Sequence, residues 1–200
     1  MTYFNVAERA ENYHKMLPKY PPLITYGKWI MGLWFCGRPW HKQEFYGQYP
    51  LTYLKRVRAL FPDCKSVLHL FGGIVQPQDG EITFDIDPTH NPTVCGDVRE
   101  ITNYFTENQF DLIVADPPYT PSDFERYGYK PFSKRQCLRD LTKICSRYLA
   151  WLDLTAPPFR KTDWNMIGTI AVVTGTNSKV RLVSIFEKCS GVMKNPPQPA

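Results

Sequence analysis

No stretch of this sequence is apolar for long enough to cross a bilayer. The longest runs, such as Ile30 to Cys36, fall far short of the roughly 20 residues a membrane helix needs. The opening MTYFNVAERAENYHK lacks the charged-then-apolar order of a secretory signal. A cytoplasmic location and no membrane partner are therefore expected. Six cysteines are present (Cys36, Cys64, Cys95, Cys137, Cys145, Cys189), yet none forms a CxxC pair and no histidine stands at ligand spacing from them. That pattern reads as scattered reduced thiols rather than a metal site or disulfide framework, so no metal is expected. Internal repeats and long low-complexity tracts are also missing.

Positive charge is present and unevenly placed. Residues 1–66 hold ten lysines and arginines against four acids, whereas residues 67–200 are close to neutral. A basic N-terminal third suits a polyanion-binding arm, and a solvated basic surface is the plainer alternative. The same third is rich in Trp, Tyr and Phe over residues 23–47, which reads as a β-hairpin arm. Leu51 to Phe61, bounded by Pro50 and Pro62, reads as a covering helix.

From residue 67 the chain alternates apolar runs with polar or helical stretches. Strands are read at Ser66 to Phe71, Glu81 to Ile86, Thr93 to Cys95, Phe110 to Ala115, Leu149 to Leu154, Ile167 to Thr174 and Val180 to Glu187. Helical spacing appears over Val98 to Asn108 and over Ser133 to Tyr148, the latter through Cys137, Leu138, Leu141, Ile144 and Cys145. The order predicts an α/β, Rossmann-like fold: a mostly parallel seven-stranded sheet ending in an antiparallel hairpin around Gly175 to Ser178. The links 72–81 and 87–92 are too short for crossover helices, so one face has reduced helices and residues 1–66 or a partner must cover it. The expected organisation is an N-terminal extension over 1–66, a core over 67–190 and a Pro-rich flexible tail over 191–200.

The strongest local signal is Asp116-Pro117-Pro118-Tyr119, directly after the strand Phe110 to Ala115. An exocyclic amine is a poor nucleophile because its lone pair is delocalised into the ring. A carboxylate and a proline carbonyl that accept its two N–H groups free that lone pair, and two prolines keep the acceptors rigid. Tyr119 can stack on a base. A proline-stopped strand with an incidental Asp and Tyr is the plain alternative, and the surrounding strand order weighs against it. Ala156-Pro157-Pro158-Phe159 lacks the carboxylate, and Asn195-Pro196-Pro197-Gln198 lacks the aromatic.

With that tetrad and the Gly72-Gly73 turn, residues 45 to 188 resemble a class I S-adenosylmethionine-dependent methyltransferase of the DPPY amino-methylating type. In its compactness the chain is similar to small phage or prophage DNA adenine N6-methyltransferases, which would place it in the host cell cytoplasm. The resemblance implies S-adenosylmethionine as cofactor, Asp116, Pro117, Pro118 and Tyr119 as catalytic, and DNA as partner. It implies cofactor contacts from the turn (His69, Phe71, Gly72, Gly73), from the acid ending the second strand (Asp85, with Ile86) and from the acid after the third (Asp97, with Val98). The segment Phe45 to Pro50 resembles the family's N-terminal cofactor motif, through Tyr46 and Gly47. His69 and Val75 depart from the family pattern. His69 either meets the cofactor or is a core histidine, and Asp87 is a second candidate for Asp85's role.

A duplex target would have to be extruded from the stack. Lys28, Arg38, Lys42, Lys55, Arg56 and Arg58 are candidates to grip phosphates, and Trp34, Trp40 and Tyr46 to stack on bases. The segment Thr120 to Pro131, with Arg126 and Lys130, reads as a lid or recognition loop. No large recognition domain fits, so specificity is short or supplied by a second subunit, a homodimer being the simple case. Other acceptors remain open: cytosine N4, an RNA base amine or a protein glutamine. So does a non-catalytic nucleic-acid-binding or partner subunit with a degraded cofactor site.

Overall fold

A single mixed sheet runs through the computed structural model, which describes residues 5–37, 49–126, 130–175 and 180–189, with the side chain of Arg126 left aside. Its strands are β1 (Ile24–Tyr26), β2 (Trp29–Cys36), β3 (Val67–Leu70), β4 (Glu81–Asp85), β5 (Val94–Cys95), β6 (Phe110–Ala115), β7 (Cys145–Asp153), β8 (Trp164–Thr174) and β9 (Val180–Lys188). They lie in the order β1-β2-β8-β9-β7-β6-β3-β4-β5. Strands β5, β4, β3, β6 and β7 are mutually parallel. Counting β3 as first, this is the doubly wound order 3-2-1-4-5. Strand β9 is antiparallel to both β7 and β8.

Seven strands are expected from residues 67–190, and the described residues form nine. The reason is the N-terminal hairpin. Strands β1 and β2 turn through Gly27-Lys28, with Gly27 at φ +57°. Instead of lying over the core, β2 then pairs parallel to β8 from Ile30 opposite Gly168 to Cys36 opposite Thr174. A Cβ on Gly168 would stand 2.3 Å from the Ile30 carbonyl oxygen, so only glycine admits this approach.

Each face of the sheet is covered. One carries α1 (Val6–Met16) and α2 (Tyr53–Leu60), where Tyr13, Trp34, Val57 and Leu60 meet Val67, Leu112, Val114, Ile170 and Ile185. Helix α1 is capped by the Asn5 side chain, which accepts from the Glu8 N–H at 3.2 Å, and buries Val6, Ala10 and Tyr13 along one stripe. The other face carries α4 (Lys134–Ile144) and a 3-10 helix over Val98–Asn103. There Leu138, Leu141 and Ile101 pack on Leu68, Leu70, Ile113, Leu149 and Trp151. Burial on both faces explains why β3 and β6 read as nearly continuous apolar runs, interrupted by His69 and Asp111 alone.

Three boundaries differ from expectation. The helix ending at Tyr148 stops at Ile144, because Cys145 pairs with Phe110 and Tyr148 with Glu187, drawing the last turn into β7. The stretch 98–108 is a kinked 3-10 helix to Asn103, broken at Glu100 (φ −114°). The loop 120–131 holds a short helix, α3 (Pro121–Arg126). No helix spans 71–80, and only a 3-10 turn, Pro88–His90, lies between β4 and β5.

Candidate active site at the carboxyl ends of the parallel strands

Strand order reverses between β3 and β6, where successive connections diverge to opposite sides of β3. Open α/β sheets bind ligands in that crevice, beyond the strands' carboxyl ends. Two turns leave β3 and β6 there side by side, since Leu70 pairs with Ala115 and the Asp116 N–H donates to the Leu70 carbonyl at 3.4 Å.

The turn after β6 is the corner Asp116 to Tyr119. Pro117 and Pro118 are buried. The Tyr119 hydroxyl donates a short hydrogen bond to Asp116 Oδ1. It accepts one from Arg181 Nη1 at 3.1 Å. A polarised chain thus runs from guanidinium through phenol to carboxyl. Burial raises the Asp116 carboxyl to about 6, the Tyr119 bond and the Arg181 charge hold it down, and Asp153 adds a smaller push upward. Burial and the adjacent carboxylate keep the Tyr119 phenol protonated. Helix α3 fixes the corner from the other side: Asp123 Oδ2 accepts from the N–H groups of Tyr119 (3.2 Å) and Thr120 (2.9 Å), while Thr120 Oγ1 accepts from the Asp123 N–H. This is a capping box with Pro121 at the first helical position.

The turn after β3 is Phe71-Gly72-Gly73. Phe71 has φ +59°, a conformation that costs a non-glycine residue roughly 1–2 kcal/mol. Its ring stacks on Phe132 (5.4 Å) and stands edge-on to Trp151 (6.5 Å), contacts worth about 0.5–1.5 kcal/mol each that offset the strain. A Cβ on Gly72 would lie 3.1 Å from the His69 carbonyl oxygen and 3.2 Å from Thr83 Cβ, so the turn lies tight on the sheet. Gly73, at φ +52°, donates to Asp85 Oδ2 at 2.9 Å and couples the turn to the end of β4.

Of the expected cofactor residues, Phe71, Gly72, Gly73, Asp85, Ile86, Asp97 and Val98 lie at these same strand ends. Asp85 is 5% exposed and also accepts from the Asp87 N–H at 3.0 Å. Ile86 is exposed at the rim. Asp97 caps the 3-10 helix through the Arg99 N–H and pairs with the Arg99 guanidinium, which lowers its pKa; the charge of Lys130 reaches it too. Val98 is buried beneath it. His69 is a correction: it is 1% exposed and sits in the core with Nε2 at 3.1 Å from Glu81 Oε2, which is also held by Arg58. Its position inside β3 points it at the α2 face rather than beyond the strand end. Val75 packs against the core.

Tyr46, Gly47, Arg38, Lys42 and Trp40 lie outside the described residues. Lys28 sits in the β1–β2 turn, on the far side of β8, β9 and β7 from β6, a lateral offset of about 19 Å at ~4.8 Å per strand, and at the amino ends of strands that run parallel to β6. It is not gathered with the corner. Arg56 is 1% exposed, donating to the Phe35 carbonyl at 2.7 Å and lying over the Tyr20 ring, so it pins α2 to β2 instead of meeting phosphate. Arg58 is engaged with Glu81, and Trp34 is fully buried. Lys55 and Lys130 are exposed.

Four residues at the site are not singled out by the sequence, although Tyr49 lies inside the segment Phe45 to Pro50. Arg181 comes from β9. Asp153, at the end of β7, accepts from Lys134 Nζ (2.6 Å) and Trp151 Nε1 (3.1 Å). Tyr49 donates to the Val114 carbonyl at 3.1 Å and stacks on Tyr53 at 5.1 Å. Burial raises both phenols well above their ordinary range, and the Asp116 charge adds to it. The Tyr53 hydroxyl is buried with no hydrogen-bond partner among the described residues. The T-P-S-D spacing after Tyr119 signals α3; no local signal marks Arg181, which only the antiparallel pairing of β9 brings near.

All six cysteines are free thiols, and the described residues contain no cluster of three or more metal-ligating side chains. No described helix is long and apolar enough to cross a membrane.

No family model matches the chain, and no curated protein matches it in sequence. Among solved structures, the N-methyltransferase NodS from Bradyrhizobium japonicum WM9 aligns over 64% of this chain and 87% of its own, with 10% identity and a TM-score of 0.42. NodS in complex with S-adenosyl-L-homocysteine aligns over 64% and 79%, with 11% identity and a TM-score of 0.43. A dihydrofolate reductase from Enterococcus faecalis, complexed with NADP(H) and RAB-propyl, aligns over 80% and 96%, with 12% identity and a TM-score of 0.27. At these scores none of the three establishes a common fold with this chain.

Proposed function

We propose that this chain transfers a methyl group from S-adenosylmethionine to the exocyclic amino group of a nucleobase, N6 of adenine in DNA. One observation carries the reading: the Asp116-Pro117-Pro118-Tyr119 corner leaves β6 directly beside the glycine turn of β3, at the crevice where strand order reverses.

The residues at the strand ends fit the cofactor. A turn held tight to the sheet by Gly72 and Gly73 lets a ligand approach the backbone. One carboxylate ends β4 and another follows β5; pairing with Arg99 holds Asp97 below the ordinary carboxylate range, so it is an anionic acceptor available to an amino group. Gly72, Gly73, Asp85, Ile86, Asp97 and Val98 would hold the group, with Asp87 more open to solvent than Asp85. When bound, the cofactor supplies a sulfonium methyl that needs no metal to be activated.

The chain's own work is to make an amine nitrogen nucleophilic. Tyr119 donates to Asp116 Oδ1, and no described residue donates to Oδ2. Oδ2 and the Pro117 carbonyl are the two acceptors for the amine's N–H groups, and accepting both frees the lone pair. Because the prolines and the α3 capping box fix the corner in advance, little reorganisation accompanies the step. Since Tyr119's hydroxyl is already tied to Asp116, its ring face and not its oxygen is what a base would meet. Lys130, whose charge reaches Asp97, stands on the segment that follows the corner and supplies a cation for a phosphate backbone.

Incubation with labelled S-adenosylmethionine and DNA, RNA or protein tests the acceptor: label in DNA N6-methyladenine is expected. Label only in RNA or in glutamine side chains would move the chemistry to those acceptors. Full activity in Asp116→Ala would remove the mechanism, and calorimetry finding no cofactor binding, even with DNA, would favour a non-catalytic partner subunit.

A further inference from the structure

We propose that Arg181 is a positioning residue of the corner, holding the Tyr119 phenol and, through it, the Asp116 carboxylate in the orientation that receives the amine. The inference rests on the reading of Asp116 as the amine acceptor.

Three observations carry it. First, the geometry is a relay: Arg181 Nη1 donates to the Tyr119 oxygen at 3.1 Å, and that hydroxyl in turn donates to Asp116 Oδ1. The guanidinium lies 5.8 Å from the Tyr119 ring centre, so the ring is held as well as its oxygen. Second, Arg181 is half-buried, yet no described carboxylate lies within 4.0 Å of its nitrogens, unlike Arg9, Arg58, Arg99 and Arg147. A partly buried cation whose only side-chain hydrogen-bond partner among the described residues is a neutral phenol is a costly arrangement for stability alone. Third, its support is rigid. Arg181 sits inside β9, opposite Val172 of β8, next to Leu182, which pairs with Asp153 of β7.

The charges around Asp116 come from every side. Arg181 is the cation acting on it from β9. Asp153 opposes from β7, its own charge met by Lys134 of α4. Tyr49 and Tyr53, from the α2 side, are neutral phenols, and Cys36 of β2 is a thiol raised by burial. Removing Arg181 therefore takes away the one positive charge among the described residues that favours the ionised carboxyl, and frees the phenol to rotate.

The test compares Arg181→Met and Arg181→Lys with the parent chain by two readouts. Carbon-13 NMR of aspartate carboxyls follows the titration of Asp116 directly, without any activity. The pH profile of kcat/KM for methyl transfer follows its consequence. In Arg181→Met the Asp116 titration is expected to move up by about one unit. The acid limb of kcat/KM should move with it, and kcat should fall about tenfold with the KM for S-adenosylmethionine unchanged. Arg181→Lys, which keeps the charge, should return the titration close to the parent value and so exclude a folding defect. An unmoved Asp116 titration in Arg181→Met overturns the inference, whatever the activity. If the parent chain transfers no methyl group but the titration moves, the functional reading fails and the hold of Arg181 on the corner stands.

Discussion

Replacing Asp116 by asparagine should make the protein more stable and inactive at once. Burial lifts this carboxyl from 3.8 to about 6. A raised carboxyl means that the folded state binds its proton more tightly than the unfolded chain does. Stability from this group is therefore full below about pH 4, falls as pH rises through about 6 and stays low above it. Two units at about 1.4 kcal/mol each put the cost of ionising Asp116 near 3 kcal/mol at neutral pH. Asparagine does not titrate and still accepts the Tyr119 hydrogen bond, and the value near 6 already includes the attraction of Arg181. A net gain of about 3 kcal/mol follows, or a rise in Tm of roughly 6–12 °C for a chain of this size. Thermal melts at pH 4, 5, 6 and 7.5 at constant ionic strength would read it, the two proteins converging at pH 4. Parallel assays of methyl transfer should show a loss of about a hundredfold or more. A variant no more stable than its parent at pH 7.5, or an advantage that persists at pH 4, would refute the account of a carboxyl kept ionised at a cost for its chemistry.

Other perturbations have equally definite outcomes. Tyr119→Phe removes a hydrogen bond that holds the Asp116 carboxyl down, so the acid limb of kcat/KM, centred near 6 in the parent, should move to higher pH; a pH–rate series on both proteins checks this. Gly168→Ala places a methyl 2.3 Å from the Ile30 carbonyl oxygen and should destabilise by about 1–3 kcal/mol in urea titrations, through the β2–β8 pairing. Glu81 is held well below the ordinary carboxylate range by His69 and Arg58 despite its partial burial, so its contribution is present at neutral pH and lost as pH falls. Glu81→Gln should cost stability at pH 7 and less at pH 3, read by chemical denaturation at the two values.

The parallel core was legible because its strands are buried on both faces and so stand out as nearly continuous apolar runs; Phe110 to Ala115 is found where it is read. Hairpin β1–β2 was legible as a pair of strands but not as a part of the sheet, since nothing in Trp29–Cys36 names β8 as its partner. Ends of helices were misread where pairing overrode periodicity, as at Cys145. At the site, residues in short motifs at strand ends were found at those ends. Residues whose role depends on contacts across the fold were not: Arg181 reaches Tyr119 over 62 positions of chain, and Arg56, read as a phosphate ligand, is buried by packing that charge patterning cannot reveal.

The union of β2 with β8 joins residues 30–36 to residues 168–174. During synthesis the amino-terminal hairpin must therefore wait, with Ile30, Trp34 and Cys36, all buried in the finished fold, still uncovered, until nearly all of the described chain has emerged. Strand pairing at such separation is slow to form, and an unpaired apolar strand is an invitation to self-association in the interval. Shortening the chain before β8 would leave a soluble-looking core with an orphaned edge, and aggregation rather than simple loss of activity would be its signature.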